Sequence, residues 1–233
     1  MCSIHHEKKA IFIHIPKTGG SYIADILHRY YGFQHFYLQR PDHSSFCMGK
    51  DQSVRMHENK IHGTLMYYKT SNDINRRMNM TPQKWKEYFI FTFVRNPYDR
   101  IVSGWNYCNQ TNISFEQYIE FDQSCNAYDY WHVFMPQVRH IIGDKGKIAA
   151  HFIGKFETME KDLATILSHL QYQQIIHIPF QKNSKKHKPY MDYYSNHSII
   201  EKVNKLIQED LTLCYTSLLG ENKNIMFETL TLV

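Results

Sequence analysis

Residues 10–31 read AIFIHIPKTGGSYIADILHRYY, and this stretch decides the fold. Its apolar, β-branched beginning predicts a buried strand over Ala10–Ile15, which ends at a proline. A tight loop follows over Pro16–Gly20. An amphipathic helix is then predicted over Ser21–Tyr31, because its apolar residues recur at helical spacing. Gly32 stands where a left-handed C-terminal cap is expected, so the stretch predicts a strand, a loop and a helix.

The loop has the composition of an anion-binding site. It contains Lys17 and two glycines, and glycine lets a backbone approach a ligand closely. The amides that open a helix have no acceptor within the helix, and the helix dipole favours negative charge there. We therefore expect a phosphate group at this loop, although an ordinary strand–turn–helix with an exposed lysine is the alternative.

The loop differs from that of ATP- and GTP-binding proteins. Their pattern is G-x-x-x-x-G-K-[ST], which would require glycines at positions 11 and 16 of this chain. Ile11 and Pro16 stand there, and the glycines follow the lysine instead. This inversion argues against an ordinary kinase or GTPase.

A second strand–turn–helix lies near the middle of the chain. Residues 87–94, EYFIFTFV, predict a central parallel strand that ends at Arg95. Asn96 and Pro97 then predict the start of a helix. Ser103 follows Arg95 by eight residues, in the second turn of that helix. Because ligands of open α/β sheets bind at the carboxyl ends of strands, both segments are expected at one edge.

Different roles are expected for the two arginines of this segment. Arg95 at the strand end suits a phosphate, since a guanidinium offers paired, charge-assisted hydrogen bonds. A surface salt bridge is the default for a lone arginine. Arg100 is predicted to pair with Asp99 or a neighbouring helix, or to add to the positive field around a phosphate.

Composition favours one α/β domain, since 233 residues are enough for one full core and few for two. We expect a single domain over residues 1–233, with residues 1–9 forming a flexible N-terminus. The net charge of +5 favours a polyanionic cofactor or an acidic substrate, or is ordinary surface charge. The charge is spread along the chain, so a nucleic-acid partner is not expected.

Cysteine usage and hydropathy bear on the compartment. The five cysteines form no C-x-x-C pair, which favours reduced thiols and no zinc site. Neither a signal peptide nor an apolar stretch long enough to span a membrane is present, so a cytoplasmic location is expected. The sequence carries no signal for oligomeric state.

Both motifs resemble those of sulfotransferases that use 3′-phosphoadenosine-5′-phosphosulfate (PAPS). I-P-K-T-G-G-S is similar to their 5′-phosphosulfate loop, and F-V-R-N-P-Y-D-R-I-V-S to their 3′-phosphate motif. The order of segments over nearly the whole chain resembles the heparan 2-O- and chondroitin-type carbohydrate sulfotransferases. The resemblance implies an α/β, P-loop-like three-layer fold with a central, mainly parallel sheet flanked by helices. Many members of that branch are Golgi proteins with a membrane anchor, so a Golgi-lumenal domain without its anchor is the alternative location.

The resemblance also implies a reaction. A sulfuryl group would move from PAPS to an acceptor hydroxyl, on a glycan or another molecule, and 3′,5′-bisphosphate (PAP) would leave without a metal. Lys17 would stabilise the leaving phosphate, and Arg95 with Ser103 would hold the 3′-phosphate. The 5′-phosphosulfate would be held by Thr18, Gly19, Gly20, Ser21 and Tyr22.

The general base is expected to be His62, in a segment I-H-G-T that resembles the histidine–glycine segment of the heparan 2-O branch. The reserve candidates are His132, His140 and Glu58, whereas His14, within the first strand, is expected to be a core or rim histidine. Lys188 ends the basic run KNSKKHK, which is either a solvated loop or a lid over the cofactor. The alternatives to a sulfotransferase are a variant P-loop kinase and a non-catalytic nucleotide- or glycan-binding module.

Overall fold

The computed structural model describes residues 1–39, 60–61, 63–108, 113–120, 133–174, 176 and 188–214. The strands are β1 (Cys2–His5), β2 (Ala10–Ile13), β3 (Gln34–Phe36), β4 (Leu38–Gln39), β5 (Lys60–Ile61), β6 (Phe89–Val94) and β7 (Phe152–Lys155). The helices are α1 (Gly20–Tyr31), α2 (Leu65–Thr70), α3 (Asn72–Arg77), α4 (Pro82–Glu87), α5 (Pro97–Cys108), α6 (Phe115–Glu120), α7 (Met159–His169), α8 (His197–Leu206) and α9 (Gln208–Cys214).

Five of these strands form one sheet in the order β3-β1-β2-β6-β7. β2 pairs parallel with β6, and β6 pairs parallel with β7. β1 is antiparallel to both of its neighbours, so β3 runs in the same direction as β2. The sheet is therefore mainly parallel, and the α/β fold class expected from the sequence is confirmed.

The N-terminal residues correct one expectation. Residues 1–9 were predicted to be flexible, yet Cys2–His5 form β1, which lies between β2 and β3. Cys2 and Ile4 are almost completely buried. The segment is short and runs into the polar stretch HHEKK, so the local sequence pattern does not predict a strand. Its burial results from pairing with the two neighbouring strands.

Helices cover both faces of the sheet. Along β2, Ile11 and Ile13 face a core that includes side chains of α2, α3 and α4. Phe12 faces the other core, which it shares with side chains of α1 and α7. This alternation is the period of two that a strand buried on both faces requires. Helix, sheet and helix thus form the three layers that were expected.

A third apolar cluster lies around α5 and α6. It includes Tyr98 and Ile101 of α5 and Ile119 of α6, together with Ile199 and Val203 of α8. The apolar spacing of Val203, Leu206, Ile207 and Leu211 predicts a single last helix over residues 198–219 that packs on the sheet. The structure instead has α8 and α9, and α8 packs on α5 and α6. Residues 215–219 lie outside the described residues.

The two strand–turn–helix motifs leave the sheet at one edge. Ile13 of β2 is paired with Thr92 of β6, and the Thr92 hydroxyl donates a hydrogen bond to the Ile13 carbonyl at 2.7 Å. α1 follows β2 and α5 follows β6. Because the two strands are parallel neighbours, their carboxyl ends lie side by side, as the sequence predicted.

Candidate active site

The loop between β2 and α1 has an unusual backbone. Lys17 and Gly19 have φ angles of 67° and 77°, in the left-handed region. A lysine seldom adopts this region, and such residues concentrate at functional sites. The carbonyl of Gly19 accepts the amides of Tyr22 and Ile23, which leaves the amides of Gly20 and Ser21 without an intrahelical acceptor.

Thr18 contributes to the loop in a different way from the one expected. Its side chain is buried, and its hydroxyl donates a hydrogen bond to the Ile15 carbonyl at 2.8 Å. The hydroxyl thus closes the loop on itself. Its proton is engaged within the chain, so Thr18 can offer a ligand its amide rather than this hydroxyl proton.

Close packing explains both glycines of the loop. A Cβ atom on Gly20 would overlap the ring of His14, and one on Gly19 would overlap the end of the Met159 side chain. His14 is itself buried and stacks on Phe12 at 6.1 Å between ring centroids. The sequence suggested glycines for the approach of a ligand, and the structure adds that each leaves room for a neighbouring side chain.

Arg95 joins the two motifs. Its side chain is 6% exposed, and its Nε donates to an Asp99 carboxylate oxygen at 2.8 Å. Its Nη1 donates to the Lys17 carbonyl at 3.3 Å, and its guanidinium lies 4.1 Å from the centre of the Phe156 ring. Within the described residues, two of the five guanidinium N–H groups are thereby used, which leaves three for a ligand.

The ammonium group of Lys17 reaches α5. It lies 3.8 Å from the centre of the Tyr107 ring, which is 45% exposed. Ser103 stands one helical turn before Tyr107 and is half-buried. The structure therefore brings Lys17, Arg95 and the helix of Ser103 together at one edge of the sheet.

Arg100 supports the loop through a hydrogen bond to its backbone. Its guanidinium is buried, and burial lowers its pKa to about 10, which leaves it charged at neutral pH. Nε donates to the Pro16 carbonyl and Nη1 to the Met135 carbonyl, each at 3.0 Å. Of the alternatives considered for Arg100, pairing with Asp99 is not the one observed, because Asp99 pairs with Arg95.

Sequence reasoning missed Gln137 and Asp210. The Gln137 carboxamide bonds both backbone groups of Arg95 and the carboxylate of Asp210. Burial raises the pKa of Asp210, against the opposing effects of Arg100 and the hydrogen bonds that the carboxylate accepts. One signal could have found Asp210: it follows Val203 and Ile207 at helical spacing, and a carboxylate on an apolar face needs a buried partner.

Glu157 anchors the turn after β6. Its carboxylate accepts a hydrogen bond from the Asn96 amide at 2.6 Å, so the side chain orients the backbone at the strand end. The Asn96 side-chain amide donates to the Tyr190 hydroxyl at 3.3 Å. Lys188, two residues before Tyr190, is exposed and belongs to the segment that this contact holds beside β6.

Most of the candidate general bases lie outside the described residues. His62, Glu58 and His132 lie outside the described residues, as do residues 182–187 of the basic run. His140 is completely buried, and His14 lies beneath Gly20. Gly63, which follows His62, donates its amide to the hydroxyl of the buried Tyr68 at 3.2 Å.

The described residues contain neither a cluster that could hold a metal ion nor a helix that could cross a membrane. No group of three or more histidine, cysteine, aspartate or glutamate side chains is arranged there to hold a metal ion. No helix in that part of the chain has the length and hydropathy needed to cross a bilayer.

The comparison with protein families agrees with the geometry. The model described as "Sulfotransferase family" matches residues 2–216, which is nearly the whole chain. No curated protein and no solved structure shows significant similarity to it. A match of this extent, on a fold that sets both motifs at one sheet edge, identifies the chain as a member of the sulfotransferase family and as a sulfotransferase enzyme.

Proposed function

We propose that this sulfotransferase takes a sulfuryl group from PAPS and transfers it in line to a hydroxyl group of a carbohydrate. One observation carries the proposal: the guanidinium of Arg95 donates to the Lys17 carbonyl at 3.3 Å, so the phosphosulfate-type loop and the 3′-phosphate-type motif are neighbours. A single nucleotide with phosphates at both ends can therefore reach both. PAPS, the donor that sulfotransferases generally use, supplies the activated sulfuryl group when bound.

The fit of this donor rests on the groups that the site offers. The helix amides of Gly20 and Ser21 and the ammonium of Lys17 suit the 5′-phosphosulfate. Arg95 has three N–H groups to offer a 3′-phosphate, with the hydroxyl of Ser103 on the adjoining helix. Gly19 and Tyr22 belong to the same turn. Lys188 and Thr18 complete the proposed set, with Thr18 acting through its amide.

Lys17 has the central chemical role in this proposal. Its ammonium group would stabilise the negative charge that develops on the leaving phosphate, which is the largest effect available to a site of this kind. The ammonium lies over the exposed Tyr107 ring in the structure. A flexible four-carbon arm allows it to move from the ring to a phosphate.

The general base is proposed to be His62. Histidine titrates nearest to neutral pH, which suits removal of a hydroxyl proton. The assignment rests on the resemblance of I-H-G-T to the corresponding segment of the heparan 2-O branch. The same resemblance supports a carbohydrate acceptor, and the half-exposed Tyr107 ring beside Lys17 offers an apolar face for a sugar.

Radiolabelled sulfate transfer from PAPS to a panel of glycans tests the proposal. Lys17→Ala should reduce transfer on the order of a hundredfold or more, by loss of one charge-stabilising donor. Lys86→Ala is the matched control, because Lys86 is an exposed lysine of α4, which precedes the opposite end of β6. Equal activity of the two variants would contradict the role of Lys17.

Two further measurements separate the parts of the proposal. PAP should raise the melting temperature of the protein, and ATP with Mg²⁺ should not. The reverse result would support the kinase alternative. His62→Ala should keep PAP binding and lose transfer, and a His62→Ala protein with full activity would show that another group is the base.

A further inference from the structure

A glutamine side chain continues the sheet where β6 ends. The backbone amide of Arg95 donates to Oε1 of Gln137 at 2.8 Å, and Nε2 of Gln137 donates to the Arg95 carbonyl at 2.9 Å. The carboxamide thus satisfies both backbone groups of one residue, as a neighbouring strand would. Gln137 is 1% exposed, so water does not compete for these bonds.

A buried carboxylate fixes this glutamine. Nε2 of Gln137 also donates to Oδ2 of Asp210 at 3.3 Å, and the Val138 amide donates to Oδ1 at 3.1 Å. Asp210 belongs to α9 and is 2% exposed. The carboxamide can hold only one orientation here, because its NH₂ group faces a carbonyl and a carboxylate.

The segment that carries Gln137 is also held by a cation, the guanidinium of Arg100. Arg100 donates to the carbonyls of Met135 and Pro16, and the Asp210 carboxylate attracts its buried charge. One network therefore reaches the phosphosulfate-type loop at Pro16, the strand end at Arg95 and helix α9. Its members come from four separate regions of the chain.

We infer that Gln137, held by Asp210, is a positioning residue that aims the Arg95 guanidinium at the 3′-phosphate of the nucleotide. The inference rests on the proposed function, since it assumes that Arg95 binds that phosphate. The carboxamide fixes the backbone from which the Arg95 side chain departs. Asp99 and the Lys17 carbonyl then fix the plane of the guanidinium, and its remaining N–H groups would form the fork that receives the phosphate.

This role predicts a selective loss of phosphate recognition. Gln137→Met keeps the length of the side chain and removes its three hydrogen bonds, which leaves the Arg95 backbone groups buried and unpaired. Affinities for PAP and for AMP, which lacks the 3′-phosphate, are measured by calorimetry. The ratio of the two should fall on the order of tenfold to a hundredfold, since small misplacements at a site have effects of this size. AMP affinity should change little.

Asn75→Leu is the matched control for a general loss of stability. The Asn75 side chain also makes three hydrogen bonds, to Lys69, Ser71 and Trp85, but it lies in the layer of α2–α4. The control should keep the wild-type ratio of PAP to AMP affinity. Asp210→Asn is a second test variant, which removes the charge at nearly constant shape and should also lower the ratio.

The outcomes distinguish the inference from the proposed function. A wild-type ratio in Gln137→Met, or an equal loss for both nucleotides, would overturn the positioning role. If Gln137→Met does not fold, Asp210→Asn decides: a lowered ratio supports the role and an unchanged ratio overturns it. If the wild-type protein itself does not prefer PAP to AMP, the assignment of Arg95 fails first and takes this inference with it.

Discussion

At the scale of single residues, Gly20 shows how little space surrounds the proposed phosphate loop. Its missing side chain is replaced by the ring of His14, which comes from the end of β2. In the same way, the end of the Met159 side chain, from α7, fills the space beside Gly19. The shape of the loop therefore depends on side chains from two other elements, and the motif alone does not determine it.

Gly20→Ala should lower the free energy of unfolding by about 1–3 kcal/mol, because the added methyl group overlaps the His14 ring. Chemical denaturation without nucleotide measures the change. Ser21→Ala, at the exposed next position, is the control and should stay within about 0.5 kcal/mol of wild type.

A double-mutant cycle shows whether the ring is the cause. Gly20→Ala should cost clearly less in a His14→Ala background, since residues in direct contact are not additive. An equal cost in both backgrounds would mean that something other than the His14 ring resists the methyl group.

At the scale of elements, β1 is the strand of the sheet that was not predicted from the sequence. It forms ladders with both β2 and β3, so both of its edges are used. Ile4 is 1% exposed and faces the core shared with α2–α4. The start of the chain is thus a structural strand of the sheet.

Ile4→Ala should destabilise the protein by roughly 2–5 kcal/mol, as expected for removal of a buried branched side chain. Glu7→Ala, in the exposed turn between β1 and β2, should change stability by less than about 0.5 kcal/mol. Denaturation curves of the two variants provide the comparison. Similar midpoints for both would restore the expectation of a flexible N-terminus.

The sequence predicted those elements whose signals are local. The units β2–α1 and β6–α5 carry apolar runs, a Gly32 cap and an Asn96–Pro97 start, and all of these are found in the structure. It also predicted that both motifs share an edge, because parallel neighbours must end together. The partners of Arg95 could not be predicted in this way. Gln137 and Lys17 lie 42 and 78 residues away from it in the chain, and only the folded sheet makes them neighbours.

At the scale of the whole molecule, several partly desolvated histidines couple stability to pH. Burial lowers the pKa of four of them from the usual 6.5: His5, His6, His35 and His151. Each therefore binds a proton less readily in the folded chain than in the unfolded chain. Their contribution to stability is present above pH 6.5 and is lost as the pH falls through the lowered values. The raised pKa of Asp210 acts in the opposite direction.

We expect the melting temperature to fall as the pH is lowered from about 7 to about 5, the range in which histidines titrate. His35→Asn removes one of these rings and can keep a hydrogen bond to Ser3, so its melting temperature should fall less steeply. His197→Gln, at an exposed position of α8, should follow the wild-type curve. A steeper fall in His35→Asn than in wild type would contradict the assignment.

The network from Arg95 to Asp210 also has a consequence for biosynthesis. Synthesis proceeds from the N-terminus, so the loop at Pro16 and the strand end at Arg95 are made before the carboxylate of residue 210 that completes their support. A nascent chain halted before that residue has left the exit tunnel contains both motifs and lacks the buried hydrogen bonds of Asp210. The network can therefore close only after translation has passed residue 210.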